Sequence, residues 1–397
     1  MASEPSLYLD ACATTPLLAQ AQQAMAEAQR LAWANPSSLH GYGLAAAEWL
    51  ERSRCELAEA LGTTPVSLLF CSGATESVHL ALLGAAATLE PGRLLISAVE
   101  HPAVLAAARQ LQQRGWQLAL VPVDRSGSLD LEQLQRLLAP PTRMVSVIWG
   151  QSEVGTVQPV ETIGQLCRDA GVVFHTDAVQ LAPHAAIAFD ELPIDLLSLT
   201  AHKLGGPRGI GALLVRPGVQ LKPQLGGGPQ EHALRAGTEA VPLVAGFAAA
   251  MQASVEARRA GRTEVLRQQR DQLLAALLAL PQVALSGPDP RVQPRLPHHI
   301  SLLVRDRAGA PLSGRAVVRA LWQSGIAASS GSACRSSGSA AAPSPVLLAL
   351  GHDPVEAEAG LRLSLLPDLA EADLNRIVDA LRLAIARCSP SAPQRPA

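Results

Sequence analysis

Short apolar runs alternate with segments of helical periodicity through the first half of this chain of 397 residues. The runs have the length and unbroken apolar character of strands buried on both faces. They are Leu94 to Ser97, Leu118 to Val123, Met144 to Trp149, Val172 to Thr176, Leu196 to Thr200 and Gly211 to Val215, and the amphipathic segments lie near Glu76 to Ala87, Ala103 to Arg114, Leu129 to Leu138 and Val160 to Ala170. Because the connections are short, this alternation predicts an α/β fold with a mainly parallel sheet, whose ligands bind beyond the carboxyl ends of the strands.

A different pattern begins near Pro242, where one long helical region continues through Ala253 to Leu280. It is followed by a strand, a helix, a loop rich in Ser and Gly over residues 329–339, another strand and a final helix. This order predicts a smaller α+β domain. We therefore expect a large domain over residues 16–255, a small domain made of residues 1–15 and 256–388, and a disordered Pro-rich tail over residues 389–397.

The composition narrows the function classes. The chain has 32 Lys and Arg against 34 Asp and Glu, which does not favour a basic nucleic-acid surface. Its apolar stretches are much shorter than the roughly 20 residues of a membrane helix, and its first residues lack the pattern of a signal peptide, so a cytoplasmic location without a membrane is expected. Six cysteines without metal-ligand spacing predict no metal site.

Lysine is rare in this chain: only Lys203 and Lys222 are lysine, and all other cationic residues are arginine. Lys203 follows the apolar run Leu196 to Thr200 in a glycine-rich turn. A lysine held at a dry strand end suits Schiff-base chemistry, because desolvation keeps its amine neutral and nucleophilic. Arginine cannot replace such an amine. The alternative is a surface lysine in a loop.

Two further strand ends carry candidate ligands. Asp177 follows an apolar run, where its carboxylate could hold a pyridinium nitrogen while Gln180 binds a ring hydroxyl; a helix cap is the alternative. The segment Cys71-Ser72-Gly73-Ala74-Thr75 joins another run to a helix, and the amide groups of such a start can bind a phosphate. An ordinary capped helix start is equally compatible with this segment.

The second half of the chain offers a thiol and a buried cation. Cys334 lies beside Arg335 in the loop of small residues, a setting that favours a thiolate able to move between two places; an inert loop cysteine is the alternative. Arg362 lies on an apolar strand and needs an anion, which could be a substrate carboxylate or an internal ion pair.

Ordered motifs along nearly the whole chain resemble the cysteine desulfurases of the NifS/IscS type. These are enzymes of the class V aminotransferase group that use pyridoxal 5′-phosphate and have the aspartate-aminotransferase fold. The resembling motifs are Tyr8-Leu-Asp10, Ala13-Thr-Thr-Pro16, Asn35-Pro-Ser-Ser-Leu-His40, Ser72-Gly-Ala-Thr-Glu-Ser77, Glu100-His101, Glu153-Val-Gly155, His175-Thr-Asp177 with Gln180, the Lys203 segment, Gln230-Glu231, Arg235, Gly237-Thr238, Ser329-Ser-Gly-Ser-Ala-Cys334 and Arg362. Three positions depart from the family pattern, namely Gln151-Ser152, His79 and Pro229.

The resemblance implies a role for each matched residue. Lys203 would form the Schiff base with the cofactor, His101 would stack on its ring, and Cys334 would be the nucleophile. Arg362 would bind the substrate carboxylate, with Ser152 contacting cofactor or substrate. The remaining cofactor ligands would be Asp177 and Gln180 on the ring, and Ala74, Thr75, Thr200, His202 and, from a second subunit, Thr238 on the phosphate.

The implied activity removes sulfur from L-cysteine to give L-alanine and a persulfide on Cys334. The resemblance further implies a homodimer and transfer of the sulfur to an acceptor, such as an iron–sulfur scaffold protein. A selenocysteine lyase, or another class V enzyme that performs β-elimination or transamination, is an alternative suggested by Ser152 and His79. A non-catalytic protein that kept the fold is the third alternative.

Overall fold

The computed structural model describes residues 7–331, 343–367 and 369–389. Its strands are β1 (Leu7–Tyr8), β2 (Leu68–Cys71), β3 (Arg93–Ser97), β4 (Gln117–Val121), β5 (Thr142–Ile148), β6 (Val173–Asp177), β7 (Leu196–Thr200), β8 (Gly211–Val215), β9 (Val283–Leu285), β10 (His299–Val304), β11 (Ile326–Ala327) and β12 (Gly360–Ser364). Seven of them form one sheet in the order β2-β8-β7-β6-β5-β3-β4. Only β8 runs antiparallel to its neighbours in this sheet. The predicted α/β fold with a mainly parallel sheet is therefore confirmed.

The helices are α1 (Ala19–Leu31), α2 (Gly41–Ala60), α3 (Ala74–Ala86), α4 (Pro102–Gln113), α5 (Leu131–Leu137), α6 (Val160–Asp169), α7 (Val241–Arg259), α8 (Arg262–Leu278), α9 (Gly314–Gln323), α10 (Pro345–Ala349) and α11 (Glu371–Cys388). All six predicted strands and all four predicted intervening helices are present, with ends that differ by two residues at most. The pattern was readable because most of these strands are buried on both faces; every residue of β7, for example, is buried. The edge strand β4 is the exception, since only Val121 of its five residues is buried.

The long helical region expected after Pro242 is two helices. Gly261 separates α7 from α8 with a φ of 74°, a left-handed conformation that a residue with a side chain rarely adopts. The predicted helical region is therefore present, with a break between its two helices. The break also marks a change of environment, because the buried face of α7 packs on the core of the large sheet and that of α8 packs on a second core.

The second core surrounds a small antiparallel sheet in the order β12-β10-β9. Apolar residues of α8, α9 and α11 cover it. The beginning of the chain also belongs to this part of the molecule, since β1 pairs with β11 and Asp10 bridges to Ser364. The chain therefore starts at the second core, crosses to the large sheet, and returns through α8.

Among the described residues, no helix is both long enough and apolar enough to span a membrane.

Candidate active site

A cavity of about 630 Å³ lies at the carboxyl ends of β5, β6 and β7 and is closed on one side by β12. Its volume is in the range that holds a cofactor together with a small substrate. Ten of the predicted site residues line it: Ala74, Thr75, His101, Ser152, Asp177, Gln180, Thr200, His202, Lys203 and Arg362. The structure thus brings together residues that the sequence distributes over almost three hundred positions.

Lys203 enters this cavity from a single 3-10 turn that follows β7 directly. Its Nζ donates hydrogen bonds to the backbone carbonyls of Cys12 and, at 2.8 Å, Ala13. The first of these carbonyls also accepts a hydrogen bond from Nε2 of Gln180 at 2.9 Å. The chain near its beginning therefore fixes the position of the amine.

Asp177 is the last residue of β6 and is 5% exposed. One carboxylate oxygen accepts a hydrogen bond from the amide of Val179 at 3.0 Å. Burial raises the pKa of Asp177, while the charges of His101 and Lys203 and the Val179 hydrogen bond oppose this rise. The arrangement gives one carboxylate that faces the cavity beside cationic neighbours.

A chain of buried polar groups lies behind Asp177. His175 contacts Oγ of Ser146 at 2.8 Å with Nδ1 and Oγ of Ser198 at 2.9 Å with Nε2, and Ser77 donates to Ser198 at 2.8 Å. Burial lowers the pKa of His175 to about 3, so its ring is neutral. These contacts fix α3 against β5, β6 and β7, and with them the distance between Asp177 and the start of α3.

The start of α3 lines the cavity where the sequence predicts binding of a phosphate. Gly73 precedes the helix, and Gly211 on β8 allows it to approach, since a Cβ on Gly211 would lie 2.8 Å from the Gly73 backbone. Glu76 accepts a hydrogen bond from the amide of Ser72 at 2.5 Å and pairs with Arg235 at 2.9 Å. The amide groups at the first turn of α3 and the hydroxyl group of Thr75 remain as donors for an anion, whereas the hydroxyl group of Thr200 donates to the carbonyl of Ile210 at 3.2 Å.

Two histidines border the same region. His101 is the residue before α4, and its Nδ1 accepts a hydrogen bond from the amide of Ala103 at 3.2 Å. His202 contacts Oγ1 of Thr14 at 3.1 Å, and burial lowers its pKa to about 4, helped by the charge of Lys203. His202 is therefore a neutral hydrogen-bonding group.

Arg362 on β12 forms the opposite wall and is 3% exposed. Its guanidinium donates to Oδ1 of Asp10 at 2.7 Å and to the carbonyl of Ser152 at 3.1 Å. Its Nε is buried and has no hydrogen-bond partner among the described residues. Arg362 thus combines the two possibilities predicted from the sequence, because it is held by an internal ion pair and retains a donor for a further anion.

The residues Gln151-Ser152, which depart from the pattern of the cysteine desulfurases, make local contacts and do not block the cavity. The Gln151 amide is used internally: Nε2 donates to the carbonyl of Val99 at 3.0 Å, and Oε1 accepts from the amide of Val154 at 3.1 Å. The Ser152 carbonyl accepts from Nε2 of His299 at 3.0 Å as well as from Arg362. The Ser152 side chain is left at the cavity wall.

Two predicted residues are not among those that line the cavity. Thr238 is exposed and is absent from the cavity of its own chain. Cys334 lies outside the described residues. The residues on both sides of that gap do reach the cavity, since Gly331 and Pro345 line it and Ser329 pairs with Arg362 through two backbone hydrogen bonds of 2.7 and 3.1 Å.

Several cavity residues escaped the sequence reasoning. The sequence assigned no role to Glu100, although it precedes His101 in a motif shared with the cysteine desulfurases. It assigned none to Cys12, although two shared motifs flank this residue. Their adjacency to matched motifs was the available signal. No group of three or more His, Cys, Asp or Glu able to hold a metal ion occurs in the part of the chain that the structure describes.

The chain is similar to known proteins over nearly its full length. The family model described as aminotransferase class V matches residues 7–377. A cysteine desulfurase IscS from Dictyoglomus turgidum is 34% identical, covering 98% of this chain and 97% of the relative. A cysteine desulfurase from Cereibacter sphaeroides is 39% identical, covering 94% of each.

Solved structures agree with these relatives. A NifS-like protein superposes with a TM-score of 0.87 at 30% identity, covering 96% of this chain and 99% of the other. SspA in complex with cysteine superposes with a TM-score of 0.78 at 30% identity, covering 92% of this chain and all of the other. The chain belongs to the class V aminotransferase family and, within it, to the cysteine desulfurases.

Proposed function

We propose that this protein removes sulfur from L-cysteine with bound pyridoxal 5′-phosphate, giving L-alanine and a persulfide on Cys334. The observation that carries the proposal is one cavity that joins a lysine amine, a buried carboxylate, an anion-binding helix start and a buried arginine. These groups come from both cores of the molecule. Relatives named cysteine desulfurase favour this activity over a selenocysteine lyase or another class V reaction.

The donor set fits this cofactor. The first turn of α3 with Thr75 and Thr200 suits the phosphate, and Asp177 suits the protonated ring nitrogen. Gln180 and His202 supply neutral hydrogen-bonding groups to the ring hydroxyl and the phosphate. Lys203 supplies the amine for covalent attachment, and His101 an aromatic face. When bound, the cofactor provides an electron sink for the negative charge that develops on the substrate Cα.

The side chains of this chain perform the remaining tasks. Arg362 binds the substrate carboxylate through its buried Nε, which fixes the orientation of Cα. The Lys203 amine takes the Cα proton, since it lies in the cavity directly after the end of β7. Asp177 keeps the ring nitrogen protonated during the time that Lys203 holds the proton from Cα.

Cys334 completes the reaction as the nucleophile. Its thiolate attacks the substrate sulfur, the carbon–sulfur bond breaks with its electrons remaining on carbon, and that carbon takes up a proton to become the methyl group of L-alanine. A sulfur–sulfur bond forms on Cys334, and the persulfide passes its outer sulfur to an acceptor such as an iron–sulfur scaffold protein. Gly331 and Pro345 at the cavity support this role, because the segment that carries Cys334 begins and ends there.

The experiment is mass spectrometry of the purified protein after incubation with L-cysteine. We expect one added sulfur on the Cys334 peptide and, when a thiol reductant is added afterwards, release of this sulfur as sulfide. Cys334→Ala should lose both the added mass and the sulfide release, with the absorbance of the cofactor retained. Cys55→Ala is the matched control, since Cys55 is exposed on α2. Full sulfide release by Cys334→Ala would contradict the assignment of the nucleophile. In a parallel incubation with L-selenocysteine, selenide release would favour the selenocysteine lyase if no alanine forms from L-cysteine.

We further propose that the enzyme is a homodimer. Trp33, Leu39, Tyr42 and Leu44 are large apolar residues exposed together at the start of α2, a patch that association with a second copy would bury. Thr238, exposed on its own chain, would then reach the cavity of the other copy. Light scattering should give twice the 41.4 kDa mass of one chain, and Tyr42→Glu should lower it; a monomeric mass for the active protein would exclude the dimer.

A further inference from the structure

Glu100 is a cavity residue to which the reaction above gives no task. It follows β3 by three residues, and its side chain reaches the ends of β3 and β5. Oε1 accepts a hydrogen bond from Oγ of Ser97 at 2.5 Å and another from the amide of Ile148 at 2.7 Å. Oε2 is buried and has no hydrogen-bond partner among the described residues.

This one-sided pattern of hydrogen bonds is that of an acid rather than a carboxylate. A carboxylate spreads its charge over both oxygens, so a buried oxygen without a donor would carry a heavy desolvation cost. In the acid, Oε1 is the carbonyl oxygen and accepts both bonds, while Oε2 carries the proton. An unpaired neutral hydroxyl costs much less to bury than an unpaired charged oxygen.

The surroundings of Glu100 also favour its protonated form. Ile148, which donates to Glu100, is the register partner of Asp177 in the neighbouring strand, so the two acids lie close together. Burial raises the pKa of Glu100 to about 8, the charge of Asp177 adds to the rise, and the bonds from Ser97 and Ile148 oppose it. Asp177 differs because the charges of His101 and Lys203 favour its ionised form.

We propose that Glu100 is a neutral carboxylic acid in the working enzyme and a positioning residue: it ties the end of β3 to the end of β5 without placing a second negative charge beside Asp177. His101, which precedes α4, and Asp177, which ends β6, are thereby held at one cavity. Asp177 remains the one carboxylate offered to a protonated ring nitrogen. Paired acids of opposite protonation state divide their tasks in this way. Only the statement about the ring nitrogen rests on the proposed function.

The protonation state is testable without turnover. The infrared difference spectrum between the wild type and Glu100→Gln should contain the carbonyl stretch of a protonated carboxylic acid at neutral pH. This band should disappear as the pH passes about 8, in the protein as purified and after removal of the cofactor. Glu161→Gln, on the exposed surface of α6, is the control and should leave the band in place. Absence of the band at neutral pH overturns the proposal, whatever the enzyme catalyses.

The positioning role is tested by two variants that differ in one respect. Glu100→Gln keeps an oxygen acceptor for Ser97 and Ile148 and is neutral, whereas Glu100→Leu is neutral and leaves both donors unmet. We expect kcat/KM for alanine formation to be roughly tenfold higher in Glu100→Gln than in Glu100→Leu. A decline of the wild-type kcat/KM above pH about 8 should be weaker in Glu100→Gln. Equal losses in the two variants, with an unchanged alkaline limb, would refute the role.

Discussion

The buried ion pair between Arg54 and Glu231 gives the most quantitative prediction about stability. The guanidinium of Arg54 donates to both carboxylate oxygens of Glu231 at 2.7 and 2.8 Å, and the amide of Phe70 donates to the same carboxylate at 2.7 Å. The two side chains are 5% and 2% exposed. Phe70 belongs to β2, which leads directly into the anion-binding start of α3. The perturbation we choose is Glu231→Gln, which removes the charge and keeps the shape.

The expected loss follows from the burial of the pair. Removing one partner of a buried ion pair costs about 3–5 kcal/mol, because the other charge stays buried. Glu51, which contacts Nε of Arg54 at 3.2 Å but is 59% exposed, compensates this charge only in part. Glu231 also begins three consecutive residues with φ between 46° and 60°, a conformation that is held only if the surroundings impose it. We therefore expect Glu231→Gln to lower the free energy of unfolding by about 4 kcal/mol and to loosen the loop that leads to Thr238. Replacing both charges, in Arg54→Met with Glu231→Gln, should cost much less than the sum of the single changes.

The assay is a double-mutant cycle by equilibrium urea unfolding, followed by tryptophan fluorescence. Trp49 is a useful reporter, because it packs on the core of the large sheet five residues before Arg54 on the same helix. The control pair is Glu264 and Arg267 on α8, which is joined by a short contact but largely exposed, so Glu264→Gln should change the unfolding midpoint little. If Glu231→Gln behaves like Glu264→Gln, or if the two single changes at the buried pair are additive, the reasoning from burial is wrong.

Three further predictions concern the site. Borohydride reduction followed by peptide mass spectrometry should find the mass of the cofactor on the Lys203 peptide. Lys203→Ala should lose this added mass, whereas Lys222→Ala should retain it. Arg362→Gln should raise the KM for L-cysteine roughly 30-fold, because it removes one charged hydrogen bond to the substrate carboxylate. Arg291→Gln, on the surface, is the control and should leave this KM unchanged. The pKa of Glu100 is about 8 in the folded protein against 4.5 for a free glutamate, so between these pH values only the folded state keeps the proton. As the pH rises through this interval, the free energy of unfolding should therefore fall by roughly 5 kcal/mol. Urea unfolding against pH should show this slope in the wild type and a weaker one in Glu100→Gln.

The central sheet could be predicted from the sequence because its strands are apolar throughout and lie between amphipathic helices. The helices α1 and α2 were not predicted. Leu18, at the start of α1, forms no side-chain cap, and α2 begins with Gly41 and is capped by His40, an unusual residue for this position. Their packing against α7, which no local pattern encodes, stabilises them. The short strand β1 is formed by its partner β11, more than three hundred residues away.

The candidate site could be predicted only where the type and sequence position of a single residue indicate its chemical role. Lys203 was identifiable because lysine is rare in this chain, and Asp177 because it ends an apolar run. Glu100 and Cys12 depend on contacts between distant segments. The state of Glu100 requires the amide of Ile148, and the part played by Cys12 lies in its backbone carbonyl, which no side-chain motif records.

The segment from Asp10 to Thr15 connects the two cations of the site. Its backbone carbonyls accept hydrogen bonds from Lys203, and the carboxylate of Asp10 pairs with Arg362 at 2.7 Å, so one short stretch of chain holds both groups in place. It is itself fixed to each core: the amide of Cys12 donates to Oγ of Ser364 at 2.9 Å, and the hydroxyl of Thr15 donates to the carbonyl of His202 at 3.0 Å. Because the amine belongs to the large sheet and the guanidinium to the small one, this segment sets the distance between Lys203 and Arg362. A displacement of one core against the other therefore changes this distance before it changes any contact inside either core.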